Sequence, residues 1–451
     1  MAKPLNEIIL GFTPAWFTAT MGTGINGILI YTLPYQFRGC HEIGLILFTL
    51  NVFLFILFSI ILISKYIFYS GTFRKMIEHP MQSMFVGAIP IGLDTIINSI
   101  IFMFPKNTHS WSPTLGLILW SVNIALTLFS CLVIPFYKMV IQEHSLDKMY
   151  ATWILPIVPA VVVASSGSVV ANVLPAHQAH VIIIISYILW GLGISLCLCV
   201  IGLYYTKITL YKLPPPELLI TVFFPLGPLG QGSFGIMNLG IVANKIYGTS
   251  STISIPTPLF GEIALVFGVL IGMVMWGFGF FWLSMATSSI IYGMQKNKVK
   301  FNLSWWGLTF PLGVYISATN TLGNIFDSTA FKVLGTFLTC CLFCLWLLVF
   351  CKTVRGAYTS ELFVDPSLVN ANAQIVPLSK QDLETQISQD LNEEISRVQN
   401  QTAQKDPTIS KNTSTNTFST DQATSNTPAA RNSNNILNDF GLVKSKMFNK
   451  E

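Results

Sequence analysis

Charge is scarce in this chain: 10% of its residues are Asp, Glu, Lys or Arg, against about 25% in soluble domains. What charge there is sits in short clusters and in the last hundred residues. A soluble fold is thereby excluded, and so is nucleic-acid binding, since no basic patch carries interleaved aromatics. The chain has no P-loop and no His-Glu-x-x-His, so neither nucleotide-driven chemistry nor a zincin site is indicated. Its six histidines (His41, His79, His109, His144, His177, His180) are scattered over connecting segments. His177 and His180 stand together near the fifth apolar stretch, where a pH sensor or two solvated side chains both fit. Cysteines number eight, seven of them in or beside apolar runs, so no disulfide framework is implied. Cys341 and Cys344 have metal-like spacing but lack a second pair; neither a metal nor a cofactor is expected.

Apolar sequence is plentiful. Hydrophobic residues make up 52%, and a membrane span needs about 20 of them in a row. Ten stretches qualify: 11–33, 44–69, 82–104, 113–137, 151–173, 179–205, 218–243, 259–292, 303–324 and 329–351. The first is span-length with no small-residue cleavage site, so it is expected to remain as a helix. Basic residues fix the orientation. Lys3, Lys65, Arg74, Lys75, Lys138, Lys148, Lys207, Lys212, Lys296, Lys298, Lys300, Lys352 and Arg355 fall on one side; Arg38, Lys106, Lys245 and Lys332 fall on the other. Both termini are therefore expected in the cytoplasm. Residues 356–451 form a tail rich in Ser, Thr, Asn and Gln, expected to stay disordered. Within it, Leu383, Ile387, Leu391, Ile395 and Val398 make a short amphipathic stripe over 379–399.

The odd-numbered stretches share a phrase: proline, then small and hydroxyl residues. Pro14, Pro90, Pro159, Pro228 and Pro311 begin it, 76, 69, 69 and 83 residues apart. Such a period in so apolar a chain points to repeated helix pairs. The predicted fold class is an all-α integral membrane protein: ten transmembrane helices, as five hairpins around a central pore, the odd helices kinked by proline. Thr20, Thr23, Asn98, Ser165, Ser166, Gln231, Ser233, Thr309 and Ser317 are the candidate pore residues. Hydroxyls and amides can donate to an anion without trapping it in a fixed charge. Close packing of small residues is the competing reading of each one. Asp94 is the only acid well inside an odd stretch, and an intramembrane carboxylate is costly. It either carries a proton, with a proton-linked role, or bonds neighbouring hydroxyls away from the lumen.

The phrases Ala164-Ser-Ser-Gly167, Gly227-Pro-Leu-Gly-Gln-Gly-Ser-Phe-Gly235 and Trp305-Trp-Gly-Leu-Thr-Phe-Pro-Leu-Gly313 resemble those of the tellurite-resistance/dicarboxylate transporter family, and most of all its fungal sulfite efflux branch. The resemblance spans roughly residues 8–355 and leaves the tail unexplained. It implies a homotrimer in the plasma membrane, each subunit with its own pore. It also implies an aromatic plug from the ninth helix, matched by Phe310; Phe224 and Phe234 are weaker candidates for a second constriction. The implied cargo is a small inorganic anion, sulfite or bisulfite, driven outward by a negative cell interior at about 2.3 kcal/mol per charge per 100 mV. A malate or dicarboxylate permease is the alternative, although the odd stretches lack the buried Arg or Lys such a cargo usually meets. Channel and proton-coupled carrier both remain open. An intramembrane enzyme or sensor would need a placed acid–base pair, which Asp94 lacks.

Overall fold

The computed structural model describes residues 4–249, 259–296 and 301–368. The amphipathic stripe at 379–399 and the rest of the tail lie outside the described residues. Those described are all helical, without a strand: α1 (Leu5–Gly11), α2 (Phe17–Tyr31), α3 (Cys40–Phe68), α4 (Thr72–Glu78), α5 (Ala88–Met103), α6 (Ser112–Leu128), α7 (Ile134–Val140), α8 (Val158–Ala171), α9 (Ala176–Tyr211), α10 (Leu226–Thr249), α11 (Phe260–Lys296), α12 (Trp306–Ile325) and α13 (Thr329–Tyr358). Seven helical stretches are long and apolar enough to cross a membrane, or eight if α1 and the stretch Pro14–Tyr31, bent by 81°, count as one. α8 is apolar but shorter.

Two kinds of helix alternate. α3, α6, α9, α11 and α13 are uninterrupted apolar runs with most of their surface outward; only 22% of the α3 window and 22% of the α11 window are buried. α2, α5, α8, α10 and α12 carry the proline phrase and are enclosed, α5 and α10 to 83% and 94%. Each inner helix packs on the outer helix that follows it. The inner helices also touch in sequence, α2 on α5, α5 on α8, α8 on α10, α10 on α12, and α12 back on α2. Five hairpins thus close into a ring.

Every inner helix is preceded by a 3₁₀ turn, at Pro14–Trp16, Ser83–Gly87, Ala151–Ile154, Leu219–Phe223 and Leu303–Trp305. Four of the five prolines stand at or just after these junctions, where a missing N–H costs little because the first turn has no partner for it. The expected mid-helix position holds for Pro311 alone, six residues into α12.

The bend before α2 exposes backbone, and the chain repairs it from a distance. Lys65, at the end of α3, donates to the Phe12 carbonyl at 2.7 Å and to Asp365 at 2.5 Å. Both side chains of the pair are almost fully buried, at 1% and 3% exposure. Two residues before Asp365, the Phe363 ring stacks on Trp16 at 4.8 Å, so the segment after α13 is fastened to the start of α2. Removing one partner of such a pair leaves a bare buried charge. Asp365→Ala is therefore expected to cost about 3–5 kcal/mol, and the double change Lys65→Met/Asp365→Leu to recover most of it. Thermal unfolding of the detergent-purified protein measures both.

Candidate functional site

Two cavities sit on the axis of the ring, and all five inner helices line each of them. The larger, about 350 Å³, is lined by Ile28 and Leu29 of α2 with Thr32 just beyond it, Ile101 and Phe102 of α5, Ser168 and Val169 of α8 with Asn172 and Val173 just beyond it, Phe234, Asn238 and Val242 of α10, and Ser317, Asn320, Thr321 and Asn324 of α12. The smaller, about 20 Å³, is lined by Thr18 and Met21, Ile91, Ile154, Leu155 and Val158, Phe224 and Gly227, and Gly307, Phe310 and Pro311. One cavity takes the early residues of all five helices and the other takes the late ones. The five inner helices therefore run parallel.

Along each helix the lining positions advance by three or four residues, the spacing of one helical face. That register leaves Ile25, Asp94 and Asn98, Ser165, Gln231 and Val314 on the stretch between the cavities. All six are buried. Neither lining contains a charged side chain. Positive charge stands instead beyond the larger cavity: Lys245 Nζ donates to the Asn172 carbonyl at 3.2 Å and to its Oδ1 at 2.8 Å, and Lys106 Nζ donates to the Val173 carbonyl at 3.3 Å. These amines cap the free carbonyls that end α8.

The candidate pore residues separate into groups. Ser317 lines the larger cavity. Asn98, Ser165 and Gln231 lie on the closed stretch, where Ser165 Oγ donates to the Val161 carbonyl at 2.9 Å and the Gln231 carbonyl at 3.2 Å, tying α8 to α10. Ser166 donates to Asp94 across the α5–α8 contact. The other four face neighbouring helices. Thr20 bonds its own helix at the Phe17 carbonyl and faces Gly92; Thr309 bonds the Trp306 carbonyl and faces Gly22. Thr23 accepts from Trp346 Nε1 of α13, and Ser233 donates to the Gly272 carbonyl of α11. A hydroxyl in an apolar helix satisfies itself on nearby backbone, and the small side chain lets two helices close. The glycines act the same way: a Cβ on Gly22 would stand 2.1 Å from Thr309 Oγ1, and one on Gly230 would stand 2.6 Å from the Tyr315 nitrogen.

The three aromatic candidates bracket the closed stretch. Phe310 and Phe224 line the smaller cavity, and Phe234 lines the larger one. Phe310 and Phe224 are buried, and Phe224 lies against Gly307, where a Cβ would come within 2.2 Å of its ring. Thr32, Asn172, Thr321 and Asn324 were not singled out by the proline phrase. They lie beyond it, and continuing each helical face by one more turn reaches them.

Comparison with known proteins agrees with this architecture. The voltage-dependent anion channel family SLAC1 matches residues 11–354. The sulfite efflux pump of Arthroderma benhamiae is 41% identical over 356 residues, covering 79% of this chain and 93% of that protein. The sulfite efflux pump of Candida albicans is 31% identical over 367 residues, covering 75% and 73%. The malic acid transport protein of Schizosaccharomyces pombe is 25% identical over 365 residues, covering 80% and 81%. A parallel helix ring around two uncharged cavities, matched along almost its whole length, makes this chain a multi-pass membrane member of the SLAC1 voltage-dependent anion channel family.

Proposed function

We propose that the protein exports sulfite, as bisulfite, across the plasma membrane through the axis of the helix ring. The observation that carries this reading is the 41% identity to a sulfite efflux pump across the whole ring. The uncharged cavity linings support it, because a small oxyanion can be passed between hydroxyl and amide donors with no fixed charge to hold it. Ten spans as five hairpins, both termini in the cytoplasm, and a homotrimer with one pore per subunit complete the proposal. In that orientation the smaller cavity opens toward the cytoplasm and the larger one outward. The N-terminal ends of five parallel helices then face the anion supply, and their partial positive charge draws anions in.

Phe310 is the proposed gate. It stands at one lip of the dry stretch, beside a proline that leaves the Gly307 carbonyl without its helical donor and so loosens the backbone there. An aromatic ring at such a constriction closes a path by excluding water. Phe224, lodged on Gly307, backs it, and Phe234 marks the opposite lip. Asn98, Ser165, Ser166, Gln231 and Ser317 form the proposed path. Thr20, Thr23, Ser233 and Thr309 join it only if the neighbouring helices separate during transport.

The second reading, a malate or dicarboxylate permease, rests on the similarity to the malic acid transport protein. The absence of Arg and Lys from both cavity linings weighs against a doubly charged cargo.

Radiolabelled sulfite flux from proteoliposomes under an imposed potential, with malate as competitor, separates the two. Sulfite flux unaffected by malate is expected, and malate transport without sulfite flux moves the protein to the second reading. Phe310→Ala is expected to raise the flux by about tenfold or more, the equivalent of about 1.4 kcal/mol removed from the barrier. An unchanged rate removes Phe310 as the gate. In a cysteine-free background, Ser317→Cys and Asn324→Cys are expected to react with an impermeant thiol reagent added outside, and Ser233→Cys to stay unlabelled.

A further inference from the structure

Among the described residues, Asp94 is the one carboxylate on the inner face of the ring, and its surroundings are incomplete in a particular way. It is 1% exposed. Ser166 Oγ of α8 donates to its Oδ1, and Asn98 Nδ2, one turn further along α5, donates to its Oδ2 at 3.1 Å. Asn123 of α6 stands against the same carboxyl while its Nδ2 donates to the Pro90 carbonyl at 3.0 Å. The amide oxygens of Asn98 and Asn123 are both buried with no hydrogen-bond donor. A buried acceptor without a donor costs about 1–3 kcal/mol, and the one proton that a neutral Asp94 carries fills the Asn98 oxygen once that amide is turned round.

The polar side chains that meet α5 around Asp94 are Thr20 of α2, Asn51 of α3, Asn123 of α6 and Ser166 of α8, none of which titrates; at the far end of the helix Tyr31 of α2 donates to the Met103 carbonyl at 3.4 Å. No Lys, Arg, His or second acid among the described residues pairs with Asp94. The carboxyl is thus free to answer to the one mobile charge the ring admits, the anion itself.

We propose that Asp94 and Asn98 form a proton-operated switch in the anion path, an inference that rests on the transport reading above. While Asp94 is ionised, the Asn98 NH₂ is spent on it and the amide oxygen points away, which presents an acceptor to an anion. Once Asp94 takes up a proton, its O–H donates to the Asn98 oxygen. The amide turns by half a revolution about a broad, two-fold torsion. Its NH₂ then faces the dry stretch, and a negative charge in the wall has been removed at the same step. Proton and anion favour each other: protonation strengthens anion binding, and the anion strengthens proton binding by the same factor. Asn98 is a direct donor to the anion, and Asp94 positions it.

The test uses the full-length protein in proteoliposomes at a clamped potential. Flux is measured at equal pH on both sides between about pH 5 and pH 9, with bisulfite rather than total sulfite held constant, because sulfite itself titrates there. Wild-type flux is expected to fall by about tenfold per pH unit on the alkaline side of its midpoint, as for a single titrating group. Asp94→Asn, which cannot titrate, is expected to give a flux that is flat with pH, whatever its size. A wild-type profile without pH dependence overturns the switch while leaving sulfite transport intact. So does an Asp94→Asn profile that follows the wild type. Should Asp94→Asn fail to fold, Ser166→Ala decides: it removes a donor to the ionised carboxyl and must move the profile to higher pH, and an unmoved profile overturns the switch. The same series with malate separates the two ideas. The pH profile with malate alone replaces the substrate and keeps the switch, and no flux of either anion ends both.

Discussion

Five inner helices point the same way, and the rest of the ring is arranged around that constraint. Parallel neighbours place like ends of their dipoles together, which is unfavourable at both ends of the bundle. The structure offsets this in two ways. Each inner helix is followed by a long outer helix running back beside it. At the C-terminal end, Lys245 and Lys106 donate to the carbonyls of Asn172 and Val173, just past the end of α8. What cannot be offset on the axis itself is a gradient, positive at the smaller cavity and negative at the larger. An anion on that axis is drawn in at one end and urged out at the other only if something carries it through the dry middle.

That middle is closed by packing rather than by a dedicated plug domain. Gly22 and Gly230 let α12 approach α2 and α10 to distances that a single methyl group would forbid. Serines and threonines at the same contacts turn their hydroxyls to backbone or to neighbouring tryptophans. The cost of so tight a ring is that its polar groups are nearly all committed. Several buried groups are left short even so, among them the amide oxygens of Asn26, Asn51, Asn98, Asn123 and Asn320, and of these asparagines Asn98 is the one that donates to Asp94.

The sequence announced the five inner helices because proline is a local signal: four of the five prolines fall inside enclosed helices and Pro14 in the turn that opens α2. Length and hydropathy announced the outer helices for the same reason. Which serine or threonine faces the axis was not legible, because that depends on how each helix is rotated against its neighbours. Thr20 and Ser165 follow their prolines by the same six residues, and both bond their own backbone against a glycine of the next inner helix, Gly92 and Gly235, so the phrase by itself does not say which hydroxyl reaches the axis. Asn172 and Asn324 were missed because the repeated phrase ends before the helices do. Least legible of all was the Lys65–Asp365 pair, which joins positions 300 residues apart and depends on a bend that no local pattern describes.

An uncharged path and a buried acid seem at odds in a protein that moves anions, yet the physics of the dry stretch reconciles them. A lone anion in a low-dielectric constriction loses far more hydration than a few neutral donors return. A fixed Lys or Arg would repair that deficit but would also hold the anion in place. A carboxyl that is neutral when the anion is present and charged when it is absent avoids both difficulties. In the proposed switch, the negative charge of the empty ring is stabilised by Ser166 and Asn98, and in the filled ring that charge is gone and the donor it had occupied is released. The barrier then depends on which ion arrives, since a cation gains nothing from a protonated Asp94. Selectivity for anions thus needs no positive residue on the axis.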